Sequence, residues 1–283
     1  MGEVFIGSAA IRQRKLTGHQ LRTHYRAIYP DVYVSRYVEL SFNDKALAAW
    51  LWSERRATMA GLAAAALHGS RWIDDDEPVE LIWRNTNPPS GLVVRNERLE
   101  DDEITDVNGL TVTTPARTAY DLARHLPRDE AIARLDALMH ATPFSVEDVL
   151  MLAKRHRGAR GLRRLRVALP LVDGGAASPQ ETRLRLLFID NGFPWPTTQI
   201  PVVDERGCLV RMLDMGWEEF MVAAEYDGDQ HRTNRKVYAK DMKVHRKLIE
   251  LGWDVIRVIR EDRDDDIVDR TWKALRRRGF RDT

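Results

Sequence analysis

The sequence predicts two domains in series, the second an α+β or mixed α/β fold and the first mainly helical. The chain has 283 residues, about twice the length of an ordinary domain. Hydrophobic residues make up 43% and charged residues 31%, which suits a globular chain with a sizeable core. A small, flexible segment, LVDGGAASP, divides the chain near residue 174. We therefore predict domains at residues 1–173 and 174–283.

The first domain combines helical and extended segments. Thr17–Ala27 is predicted as a short helix capped by Thr17, and a strand, DVYVS, follows Pro30. Ala46–Leu67 is rich in Ala and Leu and is predicted as one helix. Strand patterns follow at Val79–Trp83 and Leu92–Arg95, and a later helix begins with Thr114 as its cap and Pro115 in its first turn.

The second domain has the clearer order of elements. The pattern predicts helix, three strands, long helix, strand and a final basic helix. The successive segments are Pro179–Asn191, Thr198–Val203, Leu209–Met215, a turn at Gly216–Glu218, Phe220–Asp227, Tyr238–Leu251 and Val255–Ile259. Strands joined by hairpins and flanked by helices indicate a mixed sheet between helices.

Composition limits the possible partners. Lys and Arg number 44 against 43 Asp and Glu, which excludes a uniformly basic nucleic-acid-binding chain. No run of eighteen apolar residues and no secretory pattern is present, and Cys208 is the only cysteine, so we expect a cytoplasmic protein without a membrane partner. Local basic clusters remain, and the densest is either a solvated helical face or a phosphate-contacting surface. That cluster includes Arg155, Arg157, Arg160, Arg163 and Arg164.

Carboxylates gather on the predicted strands of the second domain. Glu225 and Asp227 are two residues apart and therefore share a face, and a hairpin would bring Asp214 beside Glu225. Three such carboxylates repel one another unless a cation or a proton relieves them, and ligands that are all oxygen favour Mg²⁺ or Mn²⁺ over zinc. Asp227-Gly228 is equally well explained as a turn, whereas Glu225 lies in an apolar strand where an unpaired charge is costly.

Two further residues have competing explanations. Glu181 completes an S-x-x-E capping box with Ser178, and capping alone accounts for it on local evidence. His231 follows the carboxylates in DGDQH and is either a general base for a metal-bound water or a surface histidine.

The combined stretch SPQET, LDMGW, EYDGDQH, Asp241 and LGWDVIRV resembles the PD-(D/E)XK nuclease superfamily, in particular its branch related to very-short-patch-repair (Vsr-type) endonucleases. The resemblance spans Ser178 to Ile259. It implies a restriction-endonuclease-like fold in which Asp214 and Glu225 bind the catalytic metal and Glu181 reaches it through water. It also implies that His231 activates or protonates and that Asp241 stabilises the site from the long helix.

One position departs from that pattern. Asp227 stands where the superfamily usually has lysine, although the uncharacterised branch carries the same E-x-D-G form, so the identity of the base stays open. The first domain resembles the N-terminal region of AbiEi-type antitoxin-like proteins through YPDVYVS, ALHGSRW and GLTVTTPARTAYDLA. That resemblance implies a winged-helix element contacting DNA through Arg22, His24 and Arg26.

These observations lead to two hypotheses. The first is a Mg²⁺- or Mn²⁺-dependent endonuclease acting on DNA, with RNA as an open alternative, whose backbone contacts include Lys243 and Arg246; its role would be in repair or defence. The second is a DNA-binding regulator or antitoxin-like protein whose nuclease fold has lost its chemistry. Mismatch specificity is not implied, because Trp195 and Trp217 are predicted to be packing residues.

Overall fold

The computed structural model describes residues 4–85, 87–228 and 235–281, with the side chains of the last range described from residue 241. It divides into two compact units, Met1–Val172 and Asp173–Thr283, one residue before the predicted boundary. No helix in the described ranges combines the length and the apolar character needed to cross a membrane.

The first unit begins with a strand, two short helices and a hairpin. The elements are β1 (Phe5–Ile6), α1 (Gly7–Arg12), α2 (Gly18–His24), β2 (Tyr25–Tyr29) and β3 (Val32–Ser35). The strands form an antiparallel sheet in the order β1-β3-β2. The predicted helix Thr17–Ala27 was too long: Thr17 does cap α2, but the chain becomes extended at Tyr25, which pairs with Ser35.

The rest of the first unit is built on a five-stranded mixed sheet in the order β6-β5-β4-β8-β7. Its elements are α3 (Phe42–Trp52), β4 (Thr58–Met59), α4 (Gly61–Leu67), β5 (Val79–Ile82), β6 (Leu92–Arg95), β7 (Ile104–Val107), β8 (Leu110–Thr113), α5 (Pro115–His125), α6 (Arg128–Ala141), α7 (Val146–Arg155) and α8 (Leu162–Ala168). Thr114 caps α5 as predicted, with Pro115 in its first turn.

The single helix predicted for Ala46–Leu67 is wrong. After α3 the chain turns at Glu54 and Arg55, which both have positive φ, and Thr58–Met59 forms the central strand β4. Pairing of β4 with both β5 and β8 overrides the helical preference of the surrounding alanines.

The second unit is a four-stranded mixed sheet between helices. Its elements are α9 (Pro179–Asp190), β9 (Thr197–Val203), β10 (Leu209–Trp217), β11 (Val222–Tyr226), α10 (Arg235–Glu250), β12 (Asp254–Val258) and α11 (Asp264–Arg277). The sheet order is β12-β11-β10-β9, with β11 and β12 parallel and the other pairs antiparallel. Phe188 of α9 and Leu275 of α11 pack in one apolar cluster, and Leu248 of α10 packs in the other.

The hairpin between β10 and β11 lies later than predicted. β10 continues through Trp217, which is 4% exposed and packs in the core, so the turn begins at Glu218 instead of Gly216. Trp217 donates its indole N–H to the Pro194 carbonyl at 2.8 Å. The prediction that Trp195 also packs is wrong, because its side chain is 60% exposed between two prolines.

Candidate functional site

Three carboxylates approach one another in the second unit from three different elements. Glu181 lies in the first turn of α9, Asp214 on β10 and Glu225 on β11. The pairing of Met215 with Ala224 and of Gly216 with Ala223, continued by one residue, sets Asp214 opposite Glu225, as the hairpin predicts. Glu225 is 3% exposed, so its charge needs compensation within the protein.

Asp214 experiences the negative charge of both neighbours. Burial, the charge of Glu181 and the charge of Glu225 raise the pKa of Asp214 to about 7, against the lowering effects of the Tyr226 N–H and Arg211. The Tyr226 backbone N–H donates to Asp214 Oδ2 at 2.8 Å. Burial makes the largest contribution to this shift, and the two neighbouring carboxylates add to it.

Glu181 combines the capping role with proximity to Asp214. Ser178 caps α9: the Glu181 N–H donates to Ser178 Oγ at 3.2 Å, and Ser178 Oγ donates to Glu181 Oε1 at 2.9 Å. The Glu181 carboxylate accepts the Ala177 N–H at 2.9 Å, one residue before the position that the predicted capping box requires. Gln199 Nε2 donates to Glu181 Oε2 at 3.3 Å. Gln199 has φ 51, unusual within a strand, and backbone in this region costs roughly 1–3 kcal/mol. Such strain is often found beside functional sites.

Arg211 compensates the buried charge of Glu225. Arg211 Nε donates to Glu225 Oε1 at 2.6 Å, and its Nη1 donates to Asp241 Oδ1 at 2.9 Å. Asp241 lies on α10 and therefore links the helix to the sheet through this arginine. Its predicted role was to stabilise the site from the long helix.

Arg257 provides a second cation on the neighbouring strand. It is paired in register with Glu225 across the parallel β11–β12 ladder. Arg257 Nη2 lies 2.6 Å from Asp241 Oδ2, and its Nη1 lies 3.9 Å from Asp227 Oδ2. Burial acts to raise the pKa of Asp241, but the hydrogen bond and charge of Arg257 and the charge of Arg211 lower it overall. The guanidinium of Arg257 thus lies beside Asp227, the residue that stands where the nuclease pattern usually has lysine.

Glu181, Asp214 and Glu225 each offer carboxylate oxygens, the type of ligand that hard divalent cations prefer. Within the described ranges no group of three or more His, Cys, Asp or Glu side chains converges closely enough to hold a metal ion. Arg211 engages Glu225 and the Tyr226 N–H engages Asp214 instead. His231, the predicted base, lies outside the described residues.

The basic cluster at the end of α7 and in the segment that leads into α8 divides into two groups. Arg155 donates to Asp102 Oδ1 at 2.7 Å and to Glu103 Oε1 at 2.9 Å, so its guanidinium already has two anionic partners and suits phosphate binding less than predicted. The other predicted residues of the cluster are exposed: Arg157, Arg160, Arg163 and Arg164. Lys243 and Arg246 are exposed on α10.

Arg155 is attached to a buried ionic network in the first unit, here called the first-unit cluster and formed by Glu97, Glu103, Arg117, Asp121 and Arg124. Arg117 is 1% exposed, ion-pairs with Glu103, and lies 2.9 Å from Glu97 Oε2 and 3.0 Å from Asp121 Oδ2. Arg124 lies 2.6 Å from Glu97 and 2.9 Å from Asp121. Each carboxylate of this cluster therefore contacts an arginine.

The predicted DNA-contacting residues Arg22, His24 and Arg26 are exposed in the N-terminal element of the first unit. Arg22 and His24 lie on α2, the second helix of the strand–helix–helix–hairpin series, and Arg26 lies on β2. Arg26 Nη2 also donates to the Val38 carbonyl at 3.1 Å. In helix-turn-helix proteins the second helix is the one that enters the major groove.

Sequence reasoning missed Arg211, Arg257 and Gln199. A signal existed for Arg257, because a charged residue within the apolar strand VIRV needs a partner just as Glu225 does. Arg211 lies three residues before Asp214 in a strand, a spacing that carries no particular signal. The conformation of Gln199 has no sequence signature, since glutamine is not a usual left-handed residue.

Comparison with known proteins relates the first unit to an antitoxin. Residues 58–171 match the family model of the AbiEi antitoxin C-terminal domain. The match thus begins at β4 and leaves out the strand–helix–helix–hairpin element. The matched domain is the C-terminal one of the antitoxin, whereas the sequence resemblance stated above was to its N-terminal region. No solved structure matches the chain.

The uncharacterized proteins Rv2248 and MT2308, from two strains of Mycobacterium tuberculosis, are each 32% identical to the chain over 203 residues. The aligned segment covers 70% of this chain and 73% of each relative. The chain therefore belongs to the family of these mycobacterial proteins and includes a segment, residues 58–171, that matches the AbiEi antitoxin C-terminal domain.

Proposed function

We propose that the protein is a Mg²⁺- or Mn²⁺-dependent endonuclease that hydrolyses phosphodiester bonds in DNA with the carboxylates of its second unit. The observation that carries this proposal is the approach of Glu181, Asp214 and Glu225 from three elements, where burial and the charges of Glu181 and Glu225 raise the pKa of Asp214 to about 7. The order α9–β9–β10–β11–α10–β12 with a mixed sheet supports a restriction-endonuclease-like unit. A cytoplasmic location agrees with such a substrate.

The residues of the site would divide the work of hydrolysis. Glu181, Asp214 and Glu225 would hold the cation, which would supply a nucleophilic water and neutralise charge on the phosphate. Arg211 and Arg257 bring guanidinium groups to the same site, and guanidinium binds phosphate oxygens in bidentate fashion. Asp241 positions both arginines from α10. His231 stays the predicted general base.

Contacts away from the reacting phosphate would come from exposed basic side chains. Lys243 and Arg246 lie on α10, the helix that also carries Asp241. In the first unit, Arg22 and Arg26 belong to the strand–helix–helix–hairpin element, which we propose binds duplex DNA. Such contacts make binding strongly dependent on salt.

Nicking of supercoiled plasmid and cutting of duplex and single-stranded DNA or RNA oligonucleotides, with Mg²⁺ or Mn²⁺, test the nuclease proposal. We expect cleavage by the wild-type protein and its loss in both Asp214→Ala and Glu225→Ala. Cleavage at the wild-type rate by these two variants would contradict the proposal. Cleavage of RNA but not of DNA would show that the substrate is RNA and would reject the proposed DNA substrate.

A second candidate is a DNA-binding regulator of antitoxin type without nuclease activity. It is favoured by the Arg211–Glu225 ion pair, which leaves Glu225 engaged by the protein itself, and by the antitoxin named in the family model for residues 58–171. It predicts sequence-dependent DNA binding without divalent cation and no cleavage of any substrate. Calorimetric titration with Mn²⁺ separates the two candidates, because the regulator requires no cation.

A further inference from the structure

A cavity of about 670 Å³ lies in the first unit, between the strand–helix–helix–hairpin element and the end of α3. Its lining includes Val4, Ala10 and Leu51, which are almost fully buried. The half-buried rings of Phe5 and Tyr25 also face it. Clefts of about 300–1,000 Å³ with a mainly apolar lining and a few polar groups are the usual sites of small organic ligands. The cavity has the size and the lining of such a site.

Secondary structure fixes the two aromatic rings of the lining. Phe5 lies on β1 and pairs in register with Tyr33 of β3, and Tyr25 begins β2 opposite Ser35. The rings of Phe5 and Tyr25 meet edge to face, with 5.1 Å between their centroids. Aromatic pairs favour this arrangement. The aromatic wall is therefore held by strand pairing and ring contact, without any help from a ligand.

Two cations line the same cavity at equivalent positions after two helices. The Lys15 N–H donates to the Ala10 carbonyl at the end of α1 at 3.0 Å. The Arg55 N–H donates in the same way to the Trp50 carbonyl at the end of α3, also at 3.0 Å. The residue before each cation has φ 57. Both helices thus end in a Schellman motif, which fixes the backbone of each cation beside the cavity.

Neither cation has an acidic partner among the residues that the structure describes. Glu54, the acid next to Arg55 in the sequence, pairs instead with Arg56 at 3.1 Å. The Arg55 guanidinium lies over the Trp50 ring, 5.6 Å from its centroid. None of the described lining residues is acidic. A cleft lined by charge of one sign attracts ligands of the opposite sign, so this cavity favours an anion.

A second cavity of the first unit provides a contrast. It has a volume of about 410 Å³ and is lined by the start of α5 and one face of α7. Its lining includes Asp102 and Asp148. Arg155, which also lines it, donates to Asp102 Oδ1 at 2.7 Å. A cavity whose arginine is already paired with an acid does not attract an anion in this way.

We propose that the 670 Å³ cavity binds a small amphipathic carboxylate, a molecule with an apolar hydrocarbon body and one carboxylate group. The body packs against the apolar lining beside Phe5 and Tyr25. The carboxylate binds to Lys15 and Arg55, because a guanidinium offers paired donors that match a carboxylate and an ammonium adds a point charge. The site involves neither the carboxylates of the second unit nor nucleic acid, so it goes beyond the proposed function.

The test uses the full chain and octanoate, with octanol, octylamine and acetate as comparison ligands. Calorimetry measures the affinity and the stoichiometry of each. We expect a single octanoate to bind per chain, octanol and octylamine to bind more weakly, and acetate to show no measurable binding. Equal affinities for octanoate and octylamine would overturn the inference, because the site would then not distinguish an anion from a cation.

Two variants locate the bound octanoate. Lys15→Gln/Arg55→Gln removes both cations and should lower octanoate affinity about tenfold, since exposed cations contribute less than buried ones, while octanol binding stays unchanged. Ala9→Leu enlarges a side chain of the lining and should weaken octanoate and octanol alike. The matched control Arg12→Gln/Arg56→Gln removes two exposed arginines outside the lining and should bind octanoate as wild type does.

Thermal melts without ligand show whether each variant is folded, and the single variants Lys15→Gln and Arg55→Gln replace the double variant if it does not fold. Absence of octanoate binding by the wild-type protein would overturn the inference, and so would binding that the charge and cavity variants leave unchanged. If the wild-type protein binds no octanoate but Lys15→Gln/Arg55→Gln weakens DNA binding, the two cations belong to a nucleic-acid surface instead. None of these measurements depends on cleavage, so a failure of the nuclease proposal is observed separately.

Discussion

The two units of this chain each contain buried ionic side chains, but the charges are balanced differently. In the first-unit cluster, Arg117 and Arg124 each contact more than one acid, and every carboxylate has an arginine partner. The second-unit cluster comprises Glu181, Asp214, Glu225, Asp227 and Asp241 with Arg211 and Arg257. There the charges of two other carboxylates act on Asp214, and its described hydrogen bond comes from a backbone N–H.

This difference separates a structural network from a site suited to bind a ligand. A balanced, buried network needs nothing further, and its loss leaves an uncompensated charge. An excess of buried carboxylates is unfavourable for folding by itself and becomes favourable when a cation binds. The comparison therefore predicts opposite consequences when a carboxylate of each cluster is neutralised.

The largest effect is expected from Glu103→Gln in the first-unit cluster. Burial acts to raise the pKa of Glu103, but hydrogen bonds from His156, Arg117 and Arg155 lower it overall, so the native fold stabilises the charged form. Removing that charge leaves Arg117 buried and undercompensated, and the free energy of unfolding should fall by about 3–5 kcal/mol. Urea denaturation followed by circular dichroism measures this change.

Glu100→Gln is the matched control, because Glu100 pairs at the surface with the exposed Arg98. Its effect should stay within about 0.5 kcal/mol. Equal stability losses in the two variants would show that the first-unit cluster is no more important than a surface pair.

The next effect concerns acid stability. Burial acts to raise the pKa of Glu97, but the hydrogen bond from His125 and the charges of Arg124, His125 and Arg117 lower it from its usual 4.5 to about 2. The unfolded chain therefore takes up the proton first, so this stabilisation is complete above about pH 4.5 and is lost as the pH falls towards 2.

Thermal melts between pH 6 and pH 2 test this assignment in Glu97→Gln. The variant should lose less stability than wild type across the window between pH 4.5 and pH 2, whereas Asp129→Asn, at an exposed position, should follow wild type. A pH dependence in Glu97→Gln identical to that of wild type would contradict the role of Glu97.

A smaller effect is expected from the exposed arginines whose guanidinium groups do not pair with the first-unit cluster. Each phosphate contact removed lowers the slope of log binding constant against log salt concentration by about one. The double variant Arg160→Gln/Arg163→Gln should therefore bind duplex DNA more weakly and with a shallower salt slope. Arg155→Gln should change the slope less, because Asp102 and Glu103 already hold its guanidinium. Anisotropy titrations at several salt concentrations would contradict this division if Arg155→Gln had the larger effect.

The sequence predicted the acidic residues of the site better than its arginines. Alternation along a strand and the hairpin order were enough to set Asp214 beside Glu225, because both depend on local geometry. The register that sets Arg257 beside Glu225 depends on the parallel pairing of β11 and β12 across an intervening helix, which no local pattern specifies. Arg211 and Asp241 meet for the same reason, through the packing of α10 on the sheet.

A similar limit explains the errors in the first unit. Alanine-rich sequence favours a continuous helix over Ala46–Leu67, and the break is imposed by the two neighbouring strands that pair with Thr58–Met59. The prediction for Trp195 failed for a different reason: it rested on the average tendency of aromatic side chains to be buried, and this side chain is exposed.

Asp214→Asn tests the central claim most directly, because stability and cleavage can be measured on the same sample. The folded-state pKa of Asp214, about 7, lies above the usual aspartate value of 3.8, so its ionisation destabilises the native fold as the pH rises through that interval. Without divalent cation at pH 8, the variant should be about 1 kcal/mol more stable than wild type and should not cleave DNA with Mg²⁺ or Mn²⁺. A variant that is less stable than wild type and cleaves at the wild-type rate would contradict the claim that the second unit gives up stability for a cation-binding site.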